Sequence, residues 1–203
     1  LQCFAIDSIL VKENDELIVE AGLPDSLCYG EQTCLAANPL GGTPAYSYVW
    51  NSPVNLLSPN SDSTCTDSLF TTEIFFLTIT DAEQCTATDS VEVWVNDEIE
   101  LDVDASDTFV CFDDTVTFSS LVSGGSGGFT YDWAPDTLLN ISNIPNPFSD
   151  SLKDTTLFIL MVTDAQNCQQ TARIQVDVNP EIIAFASLDS GACFGGTTSL
   201  SGG

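Results

Sequence analysis

Gly41-Gly42-Thr43-Pro44-Ala45-Tyr46-Ser47-Tyr48-Val49-Trp50 and Gly124-Gly125-Ser126-Gly127-Gly128-Phe129-Thr130-Tyr131-Asp132-Trp133 are one stretch written twice. Outward from it, the offset that carries Trp50 to Trp133 holds without a gap. Cys28 meets Cys111, Thr80-Asp81-Ala82 meets Thr163-Asp164-Ala165, and Val93-Trp94-Val95-Asn96 meets Val176-Asp177-Val178-Asn179. Cysteines keep the same beat over the whole chain, to within one position. Cys3, Cys85 and Cys168 form one such series, and Cys28, Cys111 and Cys193 form the other. A fixed period of this kind marks a tandem array, and its length suits a small β-sandwich.

Within each period the residues read as strands. Phe76-Leu77-Thr78-Ile79-Thr80 and Ile159-Leu160-Met161-Val162-Thr163 are apolar, β-branched runs that end in an Asp-Ala turn. Val91-Glu92-Val93-Trp94-Val95 and Ile174-Gln175-Val176-Asp177-Val178 alternate with period two, which turns one face inward. Gly and Pro punctuate the intervals at 39–44, 123–128 and 145–147. No useful length shows a helical period. The prediction is all-β: tandem immunoglobulin-like (PKD-like) sandwich modules in a row, about seven strands each. Tyr48-Val49-Trp50 and Tyr131-Asp132-Trp133 fall on a central strand, with the indole in the core. The period assigns residues 14–97 and 98–180 to two modules. Residues 1–13 read as the last strand of a preceding module, and 181–203 as the start of a following one. With Leu1 first and Ser201-Gly202-Gly203 last, both ends read as cut from something longer.

Composition narrows the partners. The 203 residues carry 30 acidic side chains against three basic ones, Lys12, Lys153 and Arg173, with no histidine, for a net charge of −27. Such a polyanion repels nucleic acid and anionic lipid, so neither is an expected partner. At 43% hydrophobic the chain is too apolar for disorder. No run reaches the ~18 apolar residues of a membrane helix, so no membrane insertion is expected. Eight cysteines without histidine point to disulfides rather than zinc, hence to an extracellular or cell-surface location.

The repeated stretches resemble a known family. The 41–50 motif, followed by Leu77-Thr78-Ile79-Thr80-Asp81-Ala82-Glu83-Gln84-Cys85, is similar to the PKD-like and SprB-type repeats of Bacteroidota surface adhesins and gliding-motility proteins. That family pattern has Cys-x-Gly near the start, GGTPPYTYxW in the middle and TVTDAxGC near the end. Cys28-Tyr29-Gly30 and Cys193-Phe194-Gly195 keep the first element, Cys111-Phe112-Asp113 departs at its third position, and Ser126-Gly127-Gly128 replaces the central Thr-Pro. The resemblance implies PKD-like sandwiches, type IX secretion, and service as a stalk, spacer or adhesive tip.

Four residue sets are candidates for chemistry. Cys34 and Cys65 occur in one copy, where the other has Thr117 and Phe148, so they should bond to each other. For the periodic cysteines two pairings stay open. One is intramodule, Cys28 with Cys85 and Cys111 with Cys168, and is the working expectation. The other joins the early cysteine of one module to the late cysteine of the next, as Cys28 with Cys168. Cys3 and Cys193 belong to the flanking modules.

Asp-Ser or Asp-Thr followed by an aliphatic, Met or Thr resembles the Bacteroidota O-glycosylation motif. It nominates Ser8, Ser26, Ser63, Ser68, Ser90, Thr115, Thr137, Ser151 and Thr155. The alternative is that these dipeptides open turns. Asp15-Glu16 and Asp97-Glu98 sit at equivalent junctions. There the choices are a solvated linker or oxygen ligands for Ca²⁺, with no other cofactor expected. No nucleophile–base pair or phosphate-cradling loop is present, so no catalysis is expected.

The functional expectation is a structural and adhesive segment of a large secreted surface or filament-forming protein. Its partners are copies of itself, neighbouring modules, surface glycans or other cells. The alternative is a carbohydrate-binding or spacer module of a secreted hydrolase, for which Trp94 is the candidate exposed ring.

Overall fold

The computed structural model describes residues 6–22, 25–52 and 54–183. Two compact units divide the chain, Leu1–Glu98 and Ile99–Gly203. In the first, a four-stranded sheet runs β2 (Asp25–Leu27), β8 (Thr86–Val95), β7 (Glu73–Thr80), β5 (Ser47–Asn51). Two short antiparallel pairs accompany it, β1 (Ile18–Glu20) with β4 (Asn38–Leu40) and β3 (Cys34–Ala36) with β6 (Ser63–Cys65). The second unit has the sheet β10 (Phe109–Val110), β14 (Gln169–Val178), β13 (Thr156–Thr163), β12 (Thr130–Ala134), and the pair β9 (Ile99–Ala105) with β11 (Phe118–Gly124). A 3₁₀ turn spans Asp136–Leu138, and the described residues form no α-helix. The described strands number eight and six, around the predicted seven.

Two pairings fix which end of each unit is which. β2 runs parallel to the C-terminal end of β8, Leu27 opposite Val95, and Asn96 N–H donates to Leu27 O at 2.9 Å. In the second unit β10 lies parallel to β14, Val110 opposite Val178, and Asn179 N–H donates to Val110 O at 2.9 Å. The early cysteine of each unit therefore lies where the chain leaves that unit, its C-terminal pole. The late cysteine precedes the first residue of β8 or β14, at the N-terminal pole.

Period-two alternation decides which side chains are inside. Phe75, Leu77, Ile79, Val91 and Val93 are buried in the first unit, and Phe158, Leu160, Val162 and Val176 in the second. Each fully buried Leu or Phe contributes about 1.5–3 kcal/mol of transfer free energy. Trp50 and Trp133 are buried in equivalent places. Each indole N–H donates to a carbonyl further along the chain, Ser61 O and Ile144 O, both at 3.1 Å. Their strand is an edge strand, β5 or β12, not the predicted central one. The indole is buried all the same, because the edge residue alternates inward under the neighbouring loop.

The predicted strand in residues 1–13 does not appear in the described part, 6–13. Ile6, Ile9, Leu10 and Val11 are almost fully exposed there. A strand read by likeness to Cys85–Val93 needs a sheet to pair with, and none of the described strands adjoins it.

Candidate functional site

The poles carry the repeated polar geometry. At the N-terminal pole of the first unit, Asp81 accepts from Thr43 N–H (2.9 Å), Glu83 N–H (2.9 Å) and Cys85 N–H (2.8 Å). Asp164 accepts the equivalent set, from Ser126, Gln166 and Cys168 N–H, all at 2.9 Å. One carboxylate thus ties the Gly-Gly loop to the cysteine turn. Both carboxyl groups are buried and titrate below the ordinary range. For Asp81 the Thr43 N–H is the main cause; for Asp164 burial pushes upward, but the Ser126, Cys168 and Gln166 amides outweigh it. The identity of Thr-Asp-Ala in both copies is the signal for this hub, although the sequence alone reads only as a turn.

The Gly-Gly motif is a steric requirement here. Gly41 sits at φ +70°, and a Cβ there would overlap the Glu16 carbonyl oxygen. Left-handed backbone also occurs at two further equivalent positions of the units. Gly30 has φ +80° and its counterpart Asp113 +66°; Gln84 and Asn167, each just before the late cysteine, have +66° and +64°. Asp and Asn tolerate this region, whereas Gln is strained.

The cysteines separate into three states. Cys34 and Cys65 face each other across β3 and β6 and are bonded, with Cα atoms 3.9 Å apart. Cys28 and Cys168 are each in a disulfide, and Cys85 and Cys111 are free and exposed. The intramodule pairing is therefore incorrect. Its physical reason is distance. Cys28 lies beside the end of β8 and Cys85 before its start, about ten residues or ~33 Å along one strand, where a bridge needs ~7 Å or less. The same holds for Cys111 and Cys168 along β14. Cys3 and Cys193 lie outside the described residues.

Of the nine hydroxyl candidates, eight are exposed and Ser68 is half-buried. Several preceding aspartates already have backbone duties: Asp89 accepts from Ala21 N–H at 2.8 Å, and Asp114 from Cys111 N–H at 3.0 Å. That is the turn-forming alternative at Thr115, whereas Asp89 and Ser90 lie inside β8 and open no turn. Thr155 Oγ1 accepts from Val178 N–H at 3.2 Å.

The junction acids Asp15, Glu16, Asp97 and Glu98 gather no cluster, for the described residues hold no group of three or more metal-ligating side chains. Asn96 beside them donates its side-chain amide to Leu27 O at 3.0 Å. The buried hydroxyls are similarly occupied. Thr66 Oγ1 accepts from Thr33 N–H (3.2 Å), and its counterpart Ser149 Oγ from Val116 N–H (2.9 Å), so both serve to hold loops.

The outer face of the β5–β7–β8 sheet carries four apolar side chains among polar ones. Val49, Ile74, Phe76 and Trp94 point outward, with Phe76 53% and Trp94 55% exposed. Phe76 pairs with Ser90, so the two rings lie about four residues, ~13 Å, apart along the sheet. In the second unit Asp132 and Asp177 replace Val49 and Trp94. No helix of the described residues is long and apolar enough to cross a membrane.

No family model matches the chain, and no curated protein matches it. Among solved structures it is similar to the N-terminal eight Ig domains of Down Syndrome Cell Adhesion Molecule isoform 1.30.30, at 15% identity and TM-score 0.58, covering 85% of this chain and 25% of that one. The fold is immunoglobulin-like. Likeness extends to extracellular domains 3–5 of Drosophila OTK (10% identity, TM-score 0.46, 82% of this chain, 63% of that one). The PKD domain from KIAA 1837 protein is 24% identical, with TM-score 0.32 over 44% of this chain and 91% of that domain. The chain spans about a quarter of the cell-adhesion structure and under two thirds of the OTK one.

Proposed function

We propose that this immunoglobulin-like tandem is a segment of the stalk of a secreted, extracellular adhesive or filament-forming protein, and that it works by reach and contact rather than catalysis. The observation that carries the reading is repetition itself. The same sandwich, the same aspartate hub and the same indole hydrogen bond recur at a constant offset, and every buried side-chain polar atom described has a partner. Repeating one geometry from unit to unit serves a mechanical array. A reaction centre needs one special place, and the polar groups here are spent on holding loops. Disulfides fit an oxidising compartment, and the net charge of −27 favours extension and solubility over collapse onto like copies. The sequence resemblance to PKD-like, SprB-type repeats supports surface display and type IX export, with lateral copies or other cells as partners and the exposed Asp-Ser and Asp-Thr hydroxyls as glycan carriers.

The test is made in the cells that produce the protein. A membrane-impermeant label should tag it on intact cells, and deleting its gene should reduce attachment or remove surface fibres. Recovery only from the cytosol, or attachment and fibres unchanged by deletion, contradicts the reading.

A second reading has one observation in its favour: two aromatic rings on the outer face of the first unit, the surface that a carbohydrate-binding module would use. Affinity electrophoresis against polysaccharides decides it. Retardation that Trp94→Ala abolishes would support glycan binding.

A further inference from the structure

We propose that the outer face of the first unit's four-stranded sheet docks a basic polypeptide, which seats apolar side chains on a diagonal stripe and sets a cation against Trp94 and Glu92. The proposal goes beyond the stalk reading and does not rest on it.

The stripe follows from register. On β8, Glu92 and Trp94 alternate with the buried Val91 and Val93, so both face outward. On β7, Ile74 and Phe76 flank the buried Phe75, and on β5 Val49 precedes the buried Trp50. Ile74 lies opposite Glu92, one outward position from Trp94. Phe76 lies opposite Asn51, one outward position from Val49. Trp94, Ile74, Phe76 and Val49 therefore step diagonally across three strands, over about 20 Å. All four are between 44% and 55% exposed. A continuous row of large apolar groups left in water marks a surface that a partner covers.

Charge names the occupant. No residue from 13 to 152 is basic, so no strand of the first unit carries a cation to balance Glu92, which stands in the stripe itself. Glu92 and Trp94 are successive outward residues of one strand, ~6.6 Å apart. Their second-unit counterparts Gln175 and Asp177 touch, Nε2 donating to Oδ1 at 2.7 Å, so groups at these two places come within hydrogen-bond reach of each other. An arginine or lysine lying on the indole of Trp94 therefore reaches the Glu92 carboxylate as well. Other occupants fit less of the face. A second copy brings the same net charge of −27 against it. A neutral glycan can stack on the rings but gains nothing from Glu92, and a small polyamine satisfies the carboxylate but leaves the stripe wet.

The second unit shows that the sandwich does not require these groups. At the places of Val49, Phe76, Ser90, Glu92 and Trp94 it carries Asp132, Ile159, Arg173, Gln175 and Asp177. The core beneath is kept, with Phe158, Leu160 and Val176 buried where the first unit has Phe75, Leu77 and Val93. Both rings and the carboxylate between them are gone, a cation is present, and the fold holds. The face of the first unit is thus spent on contact rather than on folding.

Trp94 makes the test direct. Of the chain's three tryptophans Trp50 and Trp133 are buried, so the exposed emission is that of Trp94. The full chain is titrated with a synthetic peptide of alternating arginine and valine, with oligolysine of equal charge, and with a cello-oligosaccharide. Affinity is read from the anisotropy of the labelled probe, and contact from the tryptophan emission. The arginine–valine peptide should bind about tenfold more tightly than oligolysine and shift the emission to the blue. Trp94→Asp and Val49→Asp place the second unit's own residues in the first and make the chain more anionic, so a bond of net charge alone would tighten. Instead Trp94→Asp should weaken peptide binding about tenfold, and Val49→Asp roughly threefold. Glu92→Gln, which removes one charge at an exposed place and spares the packing, should weaken it roughly threefold and keeps the test open if Trp94→Asp lowers the melting temperature. Failure of the peptide to bind, equal affinity for peptide and oligolysine, or affinity unchanged in Trp94→Asp and Glu92→Gln overturns the proposal. So does the cello-oligosaccharide as the only probe bound, or self-association of the chain that Trp94→Asp abolishes while the peptide does not bind.

Discussion

The two units solve one packing problem in different ways. In the first, Leu35 fills the core position between β3 and β6, and the flanking Cys34–Cys65 bond clamps those strands together. In the second, the position belongs to Phe118, whose ring lies 5.1 Å from Trp133 and 4.6 Å from Phe158, while Thr117 and Phe148 form only a β-bridge. A smaller side chain goes with a covalent clamp, and a larger one with aromatic packing. Closing a loop of this length contributes about 3–4 kcal/mol on the chain-entropy account. That is of the order of what a buried aromatic loses on truncation. The two pins are therefore of similar strength.

The sharpest way to break the comparison is to remove each pin. Phe118→Ala should destabilise the second unit by about 3–5 kcal/mol and leave the melting of the first unchanged. Replacing Cys34 and Cys65 together by Ser should lower the first unit by about 2–4 kcal/mol and spare the second. Both are read by chemical denaturation with unit-specific tryptophan fluorescence. An equal response of both units to either change would break the account.

Where the units agree, their variants should agree. Asp81→Asn and Asp164→Asn each weaken the same three-amide hub, and each should lower the melting temperature of its unit by roughly 5–10 °C. The sign of the pH effect follows from the lowered pKa values. A carboxyl depressed in the folded state contributes fully above the unfolded value near pH 4, and that contribution is lost as pH falls through the folded value. Acid melts of the parent should therefore steepen below about pH 4, and less so in the Asn variants. The smallest effect separates two equivalent turns. Gln84→Gly relieves left-handed backbone and should stabilise by roughly half a kcal/mol, whereas Asn167→Gly should be near neutral.

These particulars show what is legible in the sequence. The period, the strands of the 76–80 and 91–95 runs and the buried tryptophans follow from alternation and repetition, which are local properties. Cys34 with Cys65 is readable because two cysteines appear together in one copy. The state of Cys28 is not, because only the parallel register of β2 against the end of β8 tells which pole it occupies. Asp81 and Asp164 look like turn residues, since a sequence does not show that three separate amides converge on one carboxylate. The edge position of Trp50 is hidden for a related reason: a side chain's burial does not reveal how many strands flank its own.

Hydrogen exchange of the full chain, followed by mass spectrometry, tests most directly the claim that one sandwich is built twice with different pins. Protection should superimpose when the second unit is shifted back so that Trp133 falls on Trp50, and should be strongest in β7 with β8 and in β13 with β14. Opening the Cys34–Cys65 bond by the double Ser exchange should then speed exchange in the first unit, most of all in β3 and β6, and leave the second unchanged. Protection that does not repeat at that offset, or loss spread evenly over both units, would contradict the account.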